Sequence, residues 1–156
     1  MIPDGTILLS VSHTGTRELA RQLGIELEYH PRTGLPALEL TDKVWHTHHK
    51  IPVPFERLVV PARSPYRVLV SYAKRGKEPR VLNRRVGQMG IFLKSYPHTI
   101  VPVDIPGVRD ERLGELGVVG HDWQKTGETP GTIDLPQEYL DLLPCLRDQR
   151  LFNDYA

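Results

Sequence analysis

TILLSVSHTGTRELARQLG, residues 6–24, changes its hydrophobic period near its midpoint. Residues 6–12 (TILLSVS) form a short run of β character with apolar side chains on both faces, the pattern of a strand buried in a parallel sheet. Residues 18–24 (ELARQLG) instead place Leu19 and Leu23 four apart on one helical face, with Gly24 as a C-cap. Residues 13–17 (HTGTR) are the turn between them. Strand, glycine turn and helix in this order suit one physical task. The first amides of a helix lack intrahelical acceptors and carry partial positive charge, so a turn that curls them together seats an anion. Thr14 and Thr16 bring hydroxyls, and Arg17 brings a guanidinium that can grip phosphate through two hydrogen bonds. The Lys-Ser/Thr pair of a Walker loop is absent. The plainer reading is a tight strand–helix turn capped by Thr16.

The alternation continues along the chain. Residues 25–30 are a candidate second strand, 31–36 a turn-rich loop, 38–40 and 44–45 weak strand candidates, and 46–54 a loop of histidines and prolines. Residues 57–61 (RLVVP) are the next buried strand. After a turn at 62–65, residues 66–75 (YRVLVSYAKR) read as a helix ending at Gly76, against the strand preference of their β-branched side chains. Residues 77–85 are a basic connection, 86–96 a helix, and 99–103 a strand whose Pro102 marks an edge or an end. A short helix at 109–116, a Gly-rich loop at 117–131 and a helix at 136–148 broken by Pro144 complete the chain. Strands alternating with helices predict an α/β fold with a parallel sheet.

The bulk properties narrow the classes. A chain of 156 residues suits one domain, residues 1–156. With 39% hydrophobic and 25% charged residues, it has the composition of a globular protein rather than a disordered one. A formal net charge of +1 supplies no global field for nucleic acid or an acidic membrane. No apolar run approaches the roughly 20 residues of a membrane span. Asp4 and the lack of a basic segment before residue 7 argue against a signal peptide, and Cys145 as the sole cysteine fits a reducing compartment; a cytoplasmic protein is expected. Cys145 reads as a packed, inert thiol. Trp45 and Trp123 read as packing residues, and the cations from Lys74 to Arg85 as a solvated face.

Arg63-Ser64-Pro65-Tyr66-Arg67-Val68-Leu69-Val70-Ser71-Tyr72 follows the second buried strand, and here the chain resembles the sulfotransferases that use 3′-phosphoadenosine 5′-phosphosulfate (PAPS). In that family an Arg at a strand end and a Ser eight residues later on the next helix bind the 3′-phosphate. Arg63, Pro65, Ser71 and Tyr72 match the family pattern in type and spacing. The family's 5′-phosphosulfate loop reads P-K-S-G-T-T-W, and Ser12, His13, Thr14, Gly15, Thr16 and Arg17 fall on its first six positions. His13 stands where the family has a catalytic Lys, and Glu18 where cytosolic members have Trp. His46-Thr47-His48-His49-Lys50-Ile51-Pro52 is similar to the family's K-T-H-x-P segment, which aligns His48, or its neighbour His49, with the catalytic base. Residues 117–125 resemble the second half of a late loop that closes over the 3′-phosphate, with Lys125 or Arg112 in place of its cations.

The resemblance covers residues 6–76 best. It implies a three-layer, mostly parallel sheet flanked by helices, a P-loop NTPase-like sulfotransferase fold. It further implies sulfuryl transfer from PAPS, leaving the bisphosphate PAP, to a small-molecule or carbohydrate acceptor. Ser12, Thr14, Gly15, Thr16, Arg17, Arg63 and Ser71 are then the nucleotide-binding residues, His48 the base and His13 the donor to the leaving group. No metal, membrane or nucleic-acid partner is expected. Other readings stay open from the residues alone. The histidines could be a solvated loop or a zinc site, although no further ligand completes a tetrahedral set. Arg63 could pair with Glu18, and Ser71 could be an ordinary helix hydroxyl. The whole could be a kinase-like nucleotide-binding protein, or a non-catalytic relative that binds nucleic acid through its basic stretch.

Overall fold

The buried strand expected at residues 6–12 is β1, Thr6–Ser10, and all five of its residues are buried. It lies inside a sheet in the computed structural model, which describes residues 6–11, 14–24, 37–39, 57–118, 123, 134–153 and 155. The other strands are β2 (Ala37–Glu39), β3 (Arg57–Ala62) and β4 (His98–Pro102). The order is β2-β1-β3-β4 and every pairing is parallel. Leu8 stands opposite Ala37 on one side and Val59 on the other, and Ala62 pairs with Pro102. β4 closes one edge among the described residues, and Pro102 is its last residue. A proline, which donates no ladder bond, is tolerated in both situations.

Period-2 alternation sends the strand side chains into two cores. Ile7, Leu9, Val11, Leu58, Val60 and Ala62 face one layer, and Leu8, Val59 and Val101 the other. Helix α1 (Thr16–Leu23) covers the second layer with Leu19, Ala20 and Leu23, joined by Leu113 of α4 (Pro106–Glu115). Helices α2 (Pro65–Lys74) and α3 (Pro79–Ser95) cover the first with Val68, Leu69, Tyr72, Leu82, Val86, Met89 and Phe92. The short helices α5 (Gln137–Leu140) and α6 (Leu143–Arg147) and a 3₁₀ turn (Arg150–Phe152) extend that layer through Tyr139, Leu146, Leu151 and Phe152. The expected α/β architecture, a parallel sheet flanked by helices, is therefore present. Each fully buried Leu or Phe in these layers contributes about 1.5–3 kcal/mol.

Several local expectations need correction. Helix α1 starts two residues earlier than residue 18, because Gly15 is its N-cap; Thr16 is its first residue and does not cap it. Helix α3 absorbs most of the stretch read as a basic connection. Pro79 lies in its first turn, where a missing N–H costs nothing, and Leu82 and Val86, four apart, bury its inner face. The C-terminal break falls at residues 141–142, and Pro144 opens α6 instead of interrupting a helix. Cys145 is exposed, not packed. The strand candidates at 25–30 and 44–45 and the histidine loop at 46–54 lie outside the described residues.

Chain direction determines where a ligand can approach. From β1 the sheet extends to β2 on one side and to β3 and β4 on the other. Right-handed crossovers running in opposite directions place the following helices on opposite faces, as α1 and α2 are here. The C-terminal ends of β1 and β3 are therefore the switch point from which two helices depart in opposite layers, the position at which open parallel sheets place their ligand crevice.

Candidate functional site

The turn after β1 is built on Gly15, at φ 88° and ψ 25°. This left-handed conformation costs a residue with a Cβ roughly 1–2 kcal/mol. Space is also lacking: a Cβ at Gly15 would lie 2.6 Å from Cγ2 of Val103. Thr14 is fully buried and its hydroxyl donates to the Val11 carbonyl at 2.6 Å, which closes the turn. Its side chain therefore faces inward, and what it offers a ligand comes from its backbone. The first intrahelical bond of α1 runs from Leu19 N–H to the Gly15 carbonyl at 3.2 Å. Amides ahead of Leu19 thus belong to the open end of the helix. Thr16 is half-buried and Arg17 exposed. Glu18 is buried and is engaged by Arg21 (2.6 Å, Oε1 to Nη2) and by Gln22 (2.9 Å) of its own helix, which compensates the burial of its charge.

The second position follows β3. Ser64 is extended (φ −43°, ψ 126°), as the residue before a proline must be, and Pro65 starts α2. Arg63 is half-buried. Burial presses its guanidinium toward the neutral form, the Asp104 carboxylate opposes this, and Arg67 adds to the burial effect. An arginine nevertheless stays charged. Ser71 is half-buried on α2, six residues and roughly 9 Å along the helix axis from Pro65.

Val103 joins the two positions. It packs against Gly15 on one side, and its N–H donates to the Ala62 carbonyl at 2.8 Å on the other. Ala62 immediately precedes Arg63. The Gly15 turn and Arg63 are thus one contact and one hydrogen bond apart, at the same end of adjacent strands. Ser12, His13 and His48 lie outside the described residues.

Two residues that carry no motif complete this edge. Asp104, just past β4, accepts the Ser64 N–H through both carboxylate oxygens, at 3.1 and 3.3 Å. Tyr155 donates its hydroxyl to Asp104 Oδ1 and lies 3.3 Å from the Ala62 carbonyl. Arg67 Nε is 3.9 Å from the same carboxylate. Asp104 stands at the end of a strand and ahead of a proline-initiated helix, which marks a polar turn. Nothing local announces its partner forty residues away.

Several other side chains make structural contacts. Arg109 lies over the Trp123 ring at 4.7 Å, and Trp123 packs on the second core, the packing role expected of it. Arg112 donates to the Ile100 carbonyl at 2.8 Å. Lys74, Arg75, Lys77, Arg80 and Arg84 are exposed, as expected of a solvated face; Lys74 ends α2, and Arg80 and Arg84 lie on α3. Among the described residues no group of His, Cys, Asp or Glu is arranged to hold a metal ion. Chemically, the head of α1 supplies backbone amides and the end of β3 supplies the Arg63 guanidinium, both groups that interact favourably with anions. Compared with family models, curated proteins and solved structures, the chain matches none.

Proposed function

We propose that this chain is a small sulfotransferase that binds PAPS across the ends of β1 and β3. The observation that carries the reading is the link from Gly15 through Val103 to Ala62 and Arg63. It puts the two segments that resemble the family's 5′- and 3′-phosphate sites at the same end of adjacent strands. The Val103 side chain fills the space where a Cβ at Gly15 would stand, so the turn requires glycine for this packing, and what it offers an anion is its backbone amides. On this reading the fold is the P-loop-like sulfotransferase fold in reduced form.

The chemistry follows from the residue types. PAPS supplies a sulfuryl group on a phosphate leaving group. The amides at the head of α1 hold the 5′-phosphate, and Arg63 with Ser71 holds the 3′-phosphate. His48 removes the proton from the acceptor hydroxyl or amine as its oxygen or nitrogen bonds to sulfur, a task suited to an imidazole with an ordinary pKa near 6.5. His13 donates a hydrogen bond to the phosphate oxygen that receives the electrons of the breaking S–O bond. As in phosphoryl transfer, positioning and cationic stabilisation are the protein's main contributions. Acid–base help of this kind is typically worth about 10²–10⁴-fold in rate.

Thermal unfolding in the presence of nucleotides tests the assignment. At a PAP concentration about 100 times its Kd, stability rises by about 2.7 kcal/mol. That corresponds to roughly 5–10 °C for a domain of this size. ATP or GTP with magnesium should give a smaller shift than PAP. A melting temperature indifferent to millimolar PAP rejects the proposal, and a larger shift with ATP and magnesium points to a kinase-like protein. Binding of PAP without transfer from PAPS to any acceptor points to a non-catalytic relative.

A further inference from the structure

We infer that Asp104 is a positioning residue for Arg63, and that with Tyr155 it sets the preference of the crevice for a nucleotide bearing a 3′-phosphate. The inference rests on the nucleotide reading above and assigns it a residue that no motif contains.

The case begins with the backbone on either side of Arg63. Helix α2 has no acidic residue in its first turn, Ser64 makes no side-chain cap of its own, and Pro65 has no N–H. The Ser64 amide is taken by a side chain from the turn after β4, the Asp104 carboxylate, through both oxygens. On the other side of Arg63, the Ala62 carbonyl accepts the Val103 N–H at 2.8 Å and lies 3.3 Å from the Tyr155 hydroxyl. Tyr155 also donates to Asp104. The residues before and after Arg63 are thus fixed by one phenol–carboxylate pair and by the end of β4. Asp104 additionally balances two cations, Arg67 at 3.9 Å and Arg63 by proximity.

Fixing the backbone matters because a guanidinium recognises phosphate by its planar fork. An arginine loses much of its rotamer freedom when it binds, and a base held at the right place and angle lessens that loss. A phosphate misplaced by about 1 Å forfeits the bidentate geometry. Asp104 therefore acts through Arg63 and touches the ligand only indirectly. Its effect is confined to the 3′-phosphate, since the 5′-phosphate is held at the Gly15 turn.

The test compares dissociation constants for PAP and AMP, which differ only in the 3′-phosphate, using the full chain and its Asp104→Ala, Asp104→Asn and Tyr155→Phe variants. Asp104→Ala should lower the AMP-to-PAP ratio of dissociation constants by about tenfold, the scale of one charge-assisted hydrogen bond, with AMP affinity held within about twofold. Asp104→Asn keeps an acceptor oxygen for the Ser64 amide and should retain most of the ratio. Tyr155→Phe, which loses only a hydroxyl, should lower the ratio by about threefold. It decides the matter alone if Asp104→Ala fails to fold: an unchanged ratio then overturns the inference. Parallel loss of both nucleotides in Asp104→Ala marks a merely structural residue. Tighter PAP binding in both Asp104 variants marks a competing charge. Either result overturns the inference. PAP binding that requires Arg63 but is indifferent to Asp104 and Tyr155 overturns this inference alone, whereas a wild-type chain that does not bind PAP removes the nucleotide reading and this inference together.

Discussion

Arg63→Ala is expected to weaken PAP binding by about 10- to 100-fold, equivalent to the 1.5–3 kcal/mol of a hydrogen bond to a charged group, and to leave the fold intact. The side chain is half-buried and belongs to neither core, so its removal creates no large cavity. Its loss leaves Asp104 facing Arg67 alone, a pair already 3.9 Å apart, and the Ser64 amide still bonded. Binding of AMP should fall by much less, because in the proposed site Arg63 meets the 3′-phosphate. Arg63→Lys should recover only part of the affinity, since an ammonium keeps the charge but not the planar fork. Titration calorimetry of the three proteins with both nucleotides reads all of this. Equal affinity of wild type and Arg63→Ala for PAP would remove Arg63 from the site.

Gly15→Ala should be the most damaging single substitution at the crevice, costing about 2–5 kcal/mol of stability and abolishing PAP binding. Two separate costs add. An alanine at φ 88° bears the left-handed penalty of roughly 1–2 kcal/mol. Its Cβ would also stand 2.6 Å from Val103 Cγ2, and overpacking of this kind costs about 1–3 kcal/mol. Val103 cannot retreat freely, because its own N–H is tied to Ala62. Adding Val103→Ala to Gly15→Ala should relieve the clash but not the backbone strain. The double variant should therefore be less destabilised than the sum of the two single variants, the signature of direct coupling. Chemical denaturation of the four proteins gives the cycle. Strict additivity would mean that the turn does not press on Val103.

The sheet and its first helix were legible because their signals are local. The apolar run at residues 7–9, the Leu19–Leu23 spacing and Gly24 lie within 18 residues and agree with one another. β3 and α2 were readable for the same reason, and there the burial of Val68, Leu69 and Tyr72 on a helical face outweighs the strand preference of valine. The start of α3 was missed because six cations between Lys74 and Arg85 obscure the spacing of Leu82 and Val86, which fixes the helix by burial. The candidate site was half legible. Gly15 and Arg63 belong to recognisable loops, but their convergence depends on strand order, which no local pattern encodes. Asp104 and Tyr155 were invisible because their partners are 40 and 93 positions away in the chain. Val103 looked like an ordinary strand residue, and only its contact with Gly15 reveals that it couples the two loops.

A crystal structure of the chain with PAP is the most direct measurement. One nucleotide should span the crevice, its 5′-phosphate on the amides at the head of α1 and its 3′-phosphate on the guanidinium of Arg63. A nucleotide bound away from this edge, or one that reaches only one of the two positions, would contradict the account.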